Sequence, residues 1–171
     1  MLLVIIILID VGVCIVLTKL LLCATILINN VLGVYVVDNQ LKDIISQTSK
    51  INIYIDGEMN SYDNSNNVYY DIIKEYTDMS SLGREMPALG VAIHSETINA
   101  IGSGVWLEFI FDCEMIYNEM PFDRLLIEVN RDYKGYNIIR HYNGEYSGRC
   151  FYVDLLDEDM SKLYEYLIAI E

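Results

Sequence analysis

The first 37 residues carry almost no charge, and this division constrains the chain more than any other feature. MLLVIIILIDVGVCIVLTKLLLCATILINNVLGVYVV contains one acid, Asp10, and one base, Lys19. With those two set aside, the 25 acids and 11 bases of the chain leave 24 and 10, so residues 38–171 carry the whole formal net charge of -14. We therefore predict a hydrophobic leader or membrane segment over 1–37, a linker over 38–49 and an acidic domain over 50–171.

The leader is too long for one straight membrane span. A helix of 37 residues would extend about 55 Å, whereas the hydrocarbon core of a bilayer is ~30 Å thick. Three arrangements stay open: a single span or signal anchor over 20–37, two short passes over 2–17 and 20–37, or a cleaved secretory signal. The third lacks a basic N-terminal region and a small-x-small cleavage site. A lipoprotein is disfavoured because a bulky residue directly precedes Cys14 and Cys23.

The flanking charges do not orient the leader. Lys42 and Lys50 are balanced by Asp38 and Asp43. The positive-inside rule therefore gives no orientation. We expect a membrane-associated protein with a single-pass or hairpin anchor at its N-terminus, and the cytoplasmic side is slightly favoured for the domain. A start codon assigned too early would also give an Ile/Leu/Val-rich run, so whether 1–37 belong to the mature protein stays open.

Apolar periodicity in the remainder predicts an α+β domain. Alternating or apolar runs predict strands over 50–56, 105–112, 124–130, 136–142 and 149–155. Helical spacing predicts helices over 68–80 and from about Asp157 onward, a polar run predicts a loop over 57–67, and 88–101 is compatible with a helix or a strand. The expected fold is a mostly antiparallel sheet of about five strands with two or three helices packed on one face, preceded by the hydrophobic N-terminal segment.

The acidic balance argues against a nucleic-acid partner. Nucleic-acid binders need a basic patch that neutralises phosphates. The nearest basic cluster here is Arg131, Lys134 and Arg140, and Glu128 and Asp132 interrupt it. Such acidity serves solubility or steers a basic protein partner onto the surface.

No motif in the chain predicts catalysis, a cofactor or a metal site. His94, Cys113, His141 and Cys150 are residue types that bind zinc, but they lack CxxC or HxxxH spacing. Whether Cys113 and Cys150 form a disulfide stays open, because nothing in their spacing decides it. His94 followed by Glu96 is the best candidate for an acid–base pair, and a polar end of a strand or helix is the favoured interpretation.

Tyrosine is the residue out of proportion in this chain. Thirteen of the 14 tyrosines follow residue 37. Tyrosine is enriched at protein interfaces because its rigid apolar ring carries a hydrogen-bonding tip. Combined with the acidic surplus, this predicts a surface that binds a basic protein, with these expected partner-binding residues: Glu108, Asp112, Glu114, Tyr117, Glu119, Tyr133, Tyr142, Glu145 and Tyr146.

Two stretches carry a resemblance to a known class of proteins. ALGVAIHSETINAIGSGVWLEFIFD (88–112) and DLLDEDMSKLYEYL (154–167) resemble a pattern in bacterial immunity proteins, which neutralise nuclease toxins of contact-dependent or polymorphic toxin systems. In that pattern an apolar strand precedes an aromatic strand that ends in an acid, and a short C-terminal helix follows an Asp-Leu pair. The resemblance implies a small cytosolic acidic protein that binds a toxin's basic cleft and has no catalysis; the hydrophobic leader departs from it.

Three classes of function are thus in competition. The first is an acidic, non-enzymatic binding protein, an immunity protein that inhibits a basic nuclease toxin. The alternative is a membrane-anchored or exported domain of structural or adhesive role. The third, an enzyme using His94 or His141 with neighbouring carboxylates, is the least favoured, and we expect no enzymatic activity.

Overall fold

The computed structural model describes residues 40–80, 83–86 and 90–170. The expected leader over 1–37, with its membrane-spanning alternatives, lies outside these residues. Within them, no helix combines the length and the apolar character needed to cross a bilayer.

The described residues form ten strands and four helices. The helices are α1 Gln40–Ile45, α2 Asn67–Ser80, α3 His94–Ile101 and α4 Ser161–Ala169. The strands are β1 Lys50–Ile55, β2 Glu58–Asp63, β3 Arg84–Met86, β4 Val91–Ala92, β5 Val105–Tyr117, β6 Met120–Val129, β7 Gly135–Tyr142, β8 Glu145–Tyr146, β9 Gly148–Arg149 and β10 Phe151–Asp154.

The main sheet is larger than the expected five strands. Eight strands join it in the order β2-β1-β5-β6-β7-β10-β3, with β8 beside β7, and β4 and β9 form a separate two-stranded sheet. Every strand pairing in the main sheet is antiparallel. The prediction of about five strands was therefore wrong, because β2, β3 and β8 have polar or very short sequences that carry no apolar alternation.

One face of the sheet carries the main hydrophobic core. The alternate residues of β1, β5 and β6 point to this face, as the period of two requires. Helices α1, α2 and α4 cover it. The fully or almost fully buried members of this core include Ile45, Ile51, Ile53, Ile72, Leu107, Phe109, Leu125, Ile127, Leu163 and Leu167. Each such side chain contributes about 1.5–3 kcal/mol through its removal from water.

The opposite face is also covered, and this departs from the expected packing of all helices on one face. Ile101 of α3 packs there with Trp106, Leu126 and Tyr146. Helix α3 lies in 88–101, the stretch whose sequence fitted either a helix or a strand. It contains both: β4 at the start and α3 after it.

A tight turn at Asp56-Gly57 creates β2 in a region expected to be a loop. Both turn residues have positive φ, 48° for Asp56 and 87° for Gly57. This geometry matches the right-handed twist of a two-residue hairpin, for which Asp-Gly is a preferred sequence. The hairpin pairs Ile55 with Glu58 and continues to Lys50 with Asp63. The polar composition of 58–63 indicated a loop, whereas the Asp56-Gly57 dipeptide before it indicates a hairpin and therefore a second strand.

The stretch expected to be a linker contains helix α1. Leu41, Ile44 and Ile45 of this helix are buried in the main core. Their spacing of three and four residues places them on one helical face. The packed part of the chain thus includes residues that precede residue 50.

The two hairpin glycines give a matched test of this turn geometry. Gly57 and Gly144 have nearly the same φ, 87° and 85°. A Cβ on Gly57 would lie 3.3 Å from the carbonyl oxygen of Gly102, whereas a Cβ on Gly144 would meet no atom within 4 Å. We expect Gly144→Ala to cost about 1–2 kcal/mol of unfolding free energy through backbone strain, and Gly57→Ala to cost more. Urea denaturation of both variants measures the difference; equal costs would contradict the close packing at Gly57.

Alkaline pH should destabilise the fold through the buried pair Tyr76 and Tyr136. Their hydroxyl oxygens are 3.1 Å apart. Burial raises the pKa of Tyr76 from its ordinary 10 to about 12, so the folded state favours the neutral phenol. This stabilisation is fully present below pH ~10 and is lost as the pH rises through the folded pKa. Between pH 10 and pH 12 the unfolding free energy of the wild type should fall by about 2–3 kcal/mol more than that of Tyr76→Phe, which has no hydroxyl at this position to ionise. Denaturation at each pH measures this, with exposed Tyr70→Phe as the control.

Candidate functional site

A large bulge interrupts the pairing of the two longest strands. Ile110 of β5 pairs with Arg124 of β6, and the next pair is Met115 with Phe122. Four residues of β5, 111–114, therefore lie opposite one residue of β6, Asp123. Bulges bend a strand and redirect its side chains, and they are common beside functional sites.

The bulge forms an acidic depression. Its volume is about 350 Å³, and the described residues that line it are Phe111, Asp112, Cys113, Glu114, Asp123, Tyr142 and Asn143. Three of them are carboxylates and none is a Lys or Arg. Asp112 and Glu114 are exposed, and the side chain of Asp123 is 43% exposed. The depression thus presents concentrated negative charge to solvent.

Tyr142 is tied to this charge at the end of β7. Its hydroxyl hydrogen bonds to the Glu114 carboxylate, and this bond and the carboxylate charge raise the pKa of Tyr142. The following residue, Asn143, has a φ of 52° and begins the Asn143-Gly144 turn that leads into β8. Across this turn His141 pairs with Tyr146 and Tyr142 with Glu145.

His141 connects the depression to the interior of the sheet. Its Nδ1 donates to Asp123 Oδ1 at 2.5 Å. The imidazole, which is buried, also meets the ring of Tyr146 edge-on at a centroid distance of 4.8 Å. The pairing of β6, β7 and β8 encloses the ring.

Glu108 lies beneath this region and is completely buried. Its Oε2 accepts hydrogen bonds from Asn52 Nδ2 at 2.6 Å and from the Tyr54 hydroxyl at 2.9 Å. Its Oε1 accepts one from the Tyr146 hydroxyl and lies 3.5 Å from Arg124 Nη1. Both oxygens are thus satisfied by protein groups. We interpret Glu108 as a structural anchor, because it has no oxygen left for a ligand.

The negative charge of Glu108 acts on the tyrosines that surround it. Burial, and then the Glu108 charge, raise the pKa of Tyr54 to about 12. The same two causes raise the pKa of Tyr146 further. Both phenols therefore remain neutral donors throughout the physiological range, which keeps the carboxylate hydrogen bonded.

The structure separates the nine expected partner-binding residues. It brings Asp112, Glu114 and Tyr142 together in the depression, and Glu145 pairs with Tyr142 across the adjoining turn. The other five lie elsewhere: Glu108 and Tyr146 are in the buried network, Tyr117 is buried in the main core, Glu119 is in the β5–β6 turn and Tyr133 is in the loop between β6 and β7.

Sequence reasoning missed Asp123, Cys113 and Asn143 as neighbours of these carboxylates. The sequence of β5 carries no signal for the bulge, because apolar residues continue at every second position from Val105 through Cys113 to Tyr117. Only the structure shows that burial stops after Phe111 and resumes at Tyr117. The partner strand that supplies Asp123 could be found only from the three-dimensional pairing.

The four zinc-type residues do not gather in one place. His94 Nδ1 accepts a hydrogen bond from the Tyr146 backbone amide at 3.1 Å. Cys113 is an exposed free thiol at the bulge, and Cys150 is a buried free thiol. No cluster of three or more His, Cys, Asp or Glu residues suited to a metal ion occurs in the described part of the chain.

The depression is suited chemically to a cationic side chain. Its carboxylates accept hydrogen bonds from an ammonium or a guanidinium group, and charge-assisted bonds of this kind are stronger than neutral ones. The ring of Tyr142 adds apolar contact area beside them. Comparison with known proteins adds no precedent: the chain matches no protein-family model, no curated protein and no solved structure.

Removal of the Glu108 carboxylate should strongly destabilise the domain. Glu108→Ala leaves Asn52, Tyr54 and Tyr146 with unsatisfied polar groups in the interior and Arg124 without its ion-pair partner. We expect a loss of about 3–5 kcal/mol of unfolding free energy. The exposed Glu114→Ala should change stability by less than about 0.5 kcal/mol. Urea denaturation compares the two; similar losses would show that the network around Glu108 is not the anchor.

Proposed function

We propose that this protein is an acidic, non-enzymatic binding protein that inhibits a basic protein partner, of the kind represented by a nuclease toxin. The single observation that carries the proposal is the depression at the β5 bulge. Asp112, Glu114 and Asp123 surround it without a Lys or Arg among the described lining residues.

Long-range charge supports the same partner. Residues 38–171 carry the net charge of -14, so a basic protein is attracted before contact and its association is accelerated. The depression then supplies a local site for one Lys or Arg side chain of that protein. Net charge and local geometry thus both favour a positively charged partner.

The site is also held firmly on the side of Asp123, which supports binding. Asp123 is fixed by His141, and His141 packs on Tyr146, which is anchored by Glu108. A preorganised carboxylate loses little conformational freedom when it binds a cation. An inhibitor gains affinity from this rigidity because fewer side chains must be ordered on association.

The proposal is tested by neutralising the depression. The triple variant Asp112→Asn, Glu114→Gln and Asp123→Asn keeps the size of each side chain and removes three charges. Binding of the wild type and the variant to a panel of basic nucleases is measured by surface plasmon resonance at low and moderate salt. We expect the wild type to bind and inhibit a member of the panel, and the variant to bind it at least about tenfold more weakly.

A matched variant separates local geometry from net charge. Asp132→Asn, Asp157→Asn and Glu158→Gln change three exposed carboxylates outside the depression and give the same net charge. We expect this variant to lose association rate only, with a dissociation rate like that of the wild type. Equal weakening by both variants would assign the effect to net charge alone, and absence of binding to the whole panel would contradict the proposal.

A further inference from the structure

A second cavity lies on the sheet face that also carries α3. It has a volume of about 270 Å³, and the described residues that line it are Trp106, Glu128, Tyr133, Gly135, Tyr136, Asn137, Ile139 and Tyr152. It shares no lining residue with the acidic depression. We call it the aromatic cavity.

Glu128 supplies the only charge among the described lining residues of the aromatic cavity. It lies opposite Trp106 in the β5–β6 pairing and is half-buried. It forms no hydrogen bond or ion pair within the described part of the chain, and burial alone raises the pKa of its carboxyl group. Partial desolvation of a carboxylate without a paired cation costs free energy. Glu128 is therefore a partly desolvated acidic group that a bound cation would stabilise.

Four aromatic residues line the cavity with this carboxylate. Tyr136 is buried in the main core, and the other three are Trp106, Tyr133 and Tyr152. Trp106 is only 6% exposed, and its indole N–H donates to the carbonyl oxygen of Ser103 at 2.9 Å. With that polar atom already bonded, the indole contributes aromatic carbon surface to the lining of the cavity. Tyr133 is 39% exposed, and Tyr152 projects from β10.

The backbone of Tyr133 and the side chain of Tyr152 are fixed by their surroundings. The Tyr133 amide donates to Asn130 O, and Tyr133 O accepts from the Met160 amide, each at 3.1 Å. The Tyr152 ring passes over Gly135, where an added Cβ would lie 2.3 Å from the Tyr152 hydroxyl oxygen. A glycine at 135 is thus required for Tyr152 to reach this position. The aromatic lining is built into the fold.

We propose that the aromatic cavity binds an organic ammonium group, with Glu128 as its counter-charge and Trp106, Tyr133 and Tyr152 as its aromatic contacts. Aromatic rings attract cations through the negative charge of their faces, and cages of such rings recognise alkylated ammonium groups. The volume suits a head group of this size. The ammonium belongs either to a lysine side chain, methylated or not, of a protein or to a free small molecule.

Other ligand classes fit this lining less well. An anion would be repelled by Glu128, and the described lining offers no Lys or Arg to bind it. A hard metal ion would find one carboxylate where calcium takes six to eight oxygen ligands. An alkylated ammonium needs only one negative charge and apolar contact, and the cavity supplies both.

The test uses Trp106, the single tryptophan of the chain, as a reporter inside the cavity. Its emission is followed while full-length protein is titrated with choline, with a peptide containing one trimethyllysine, with the same peptide containing unmodified lysine, or with 3,3-dimethylbutanol, the neutral isostere of choline. Isothermal titration calorimetry records binding that leaves the emission unchanged. We expect saturable binding of at least one ammonium probe and none of the neutral isostere.

Variants assign the binding to named side chains. Glu128→Gln should weaken binding of the ammonium probe about 3- to 30-fold, whereas the exposed Glu158→Gln should not change it. Tyr152→Phe keeps the ring and should retain binding, and Tyr152→Leu should lose it. Far-UV circular dichroism checks whether each variant is folded. If a variant does not fold, the pair Tyr133→Leu and Tyr133→Phe is compared in its place.

The arms of the titration identify the source of the ammonium. Binding of choline alone indicates a free small molecule, and binding of a peptide alone indicates a lysine side chain. Failure of every ammonium probe, equal binding of the neutral isostere, or unchanged affinity in Glu128→Gln would overturn the proposal. None of these outcomes depends on the basic protein partner, because the depression and the aromatic cavity are lined by different residues.

Discussion

The buried carboxylate of Glu108 is the constraint on which the second face of the sheet depends. An ionised group at 0% exposure is tolerated only when its oxygens are fully hydrogen bonded. Asn52 and Tyr54 come from β1, Arg124 from β6 and Tyr146 from β8, while Ser61 of β2 donates to Asn52 Oδ1 at 2.6 Å. Five strands must therefore be in register before this charge is compensated. The network favours this register over slipped pairings, in which the same carboxylate would be buried alone.

The two proposed sites use this frame in different ways. Tyr146 contacts the ring of His141, and His141 is hydrogen bonded to Asp123. The position of Asp123 in the acidic depression is thus fixed by the buried network. The aromatic cavity lies on the neighbouring part of the same face. In the described part of the chain its carboxylate, Glu128, lacks the hydrogen-bond partners that Glu108 has. The two carboxylates lie on adjacent strands, Glu108 on β5 and Glu128 on β6. Glu108 is hydrogen bonded by protein groups and serves stability, whereas Glu128 has no such partner among the described residues and is the proposed counter-charge of a ligand.

Sequence reasoning predicted the long, regular elements well and the connections poorly. The alternation of Ile51, Ile53 and Ile55 marks β1, and helical spacing marks α2, because both elements bury one face. It missed β2, whose residues are mostly exposed and whose only signal is the Asp56-Gly57 turn. It also expected a helix from about Asp157, whereas α4 begins at Ser161 with Asp159 Oδ1 accepting from its amide at 3.0 Å. Polar edge strands and helix ends depend on pairing and capping more than on burial.

The sequence by itself determined the separation of an apolar segment from an acidic one, the α+β character of the domain and the negative sign of its net charge. These properties follow from composition and local periodicity. Only the tertiary structure decided which charges meet. The bulge gathers Asp112, Glu114 and Asp123 from two strands, and the pairing of β5 with β6 sets Glu128 beside Trp106. Contacts between residues far apart in the chain are fixed by strand register, which the burial of the whole sheet selects and which no local pattern encodes.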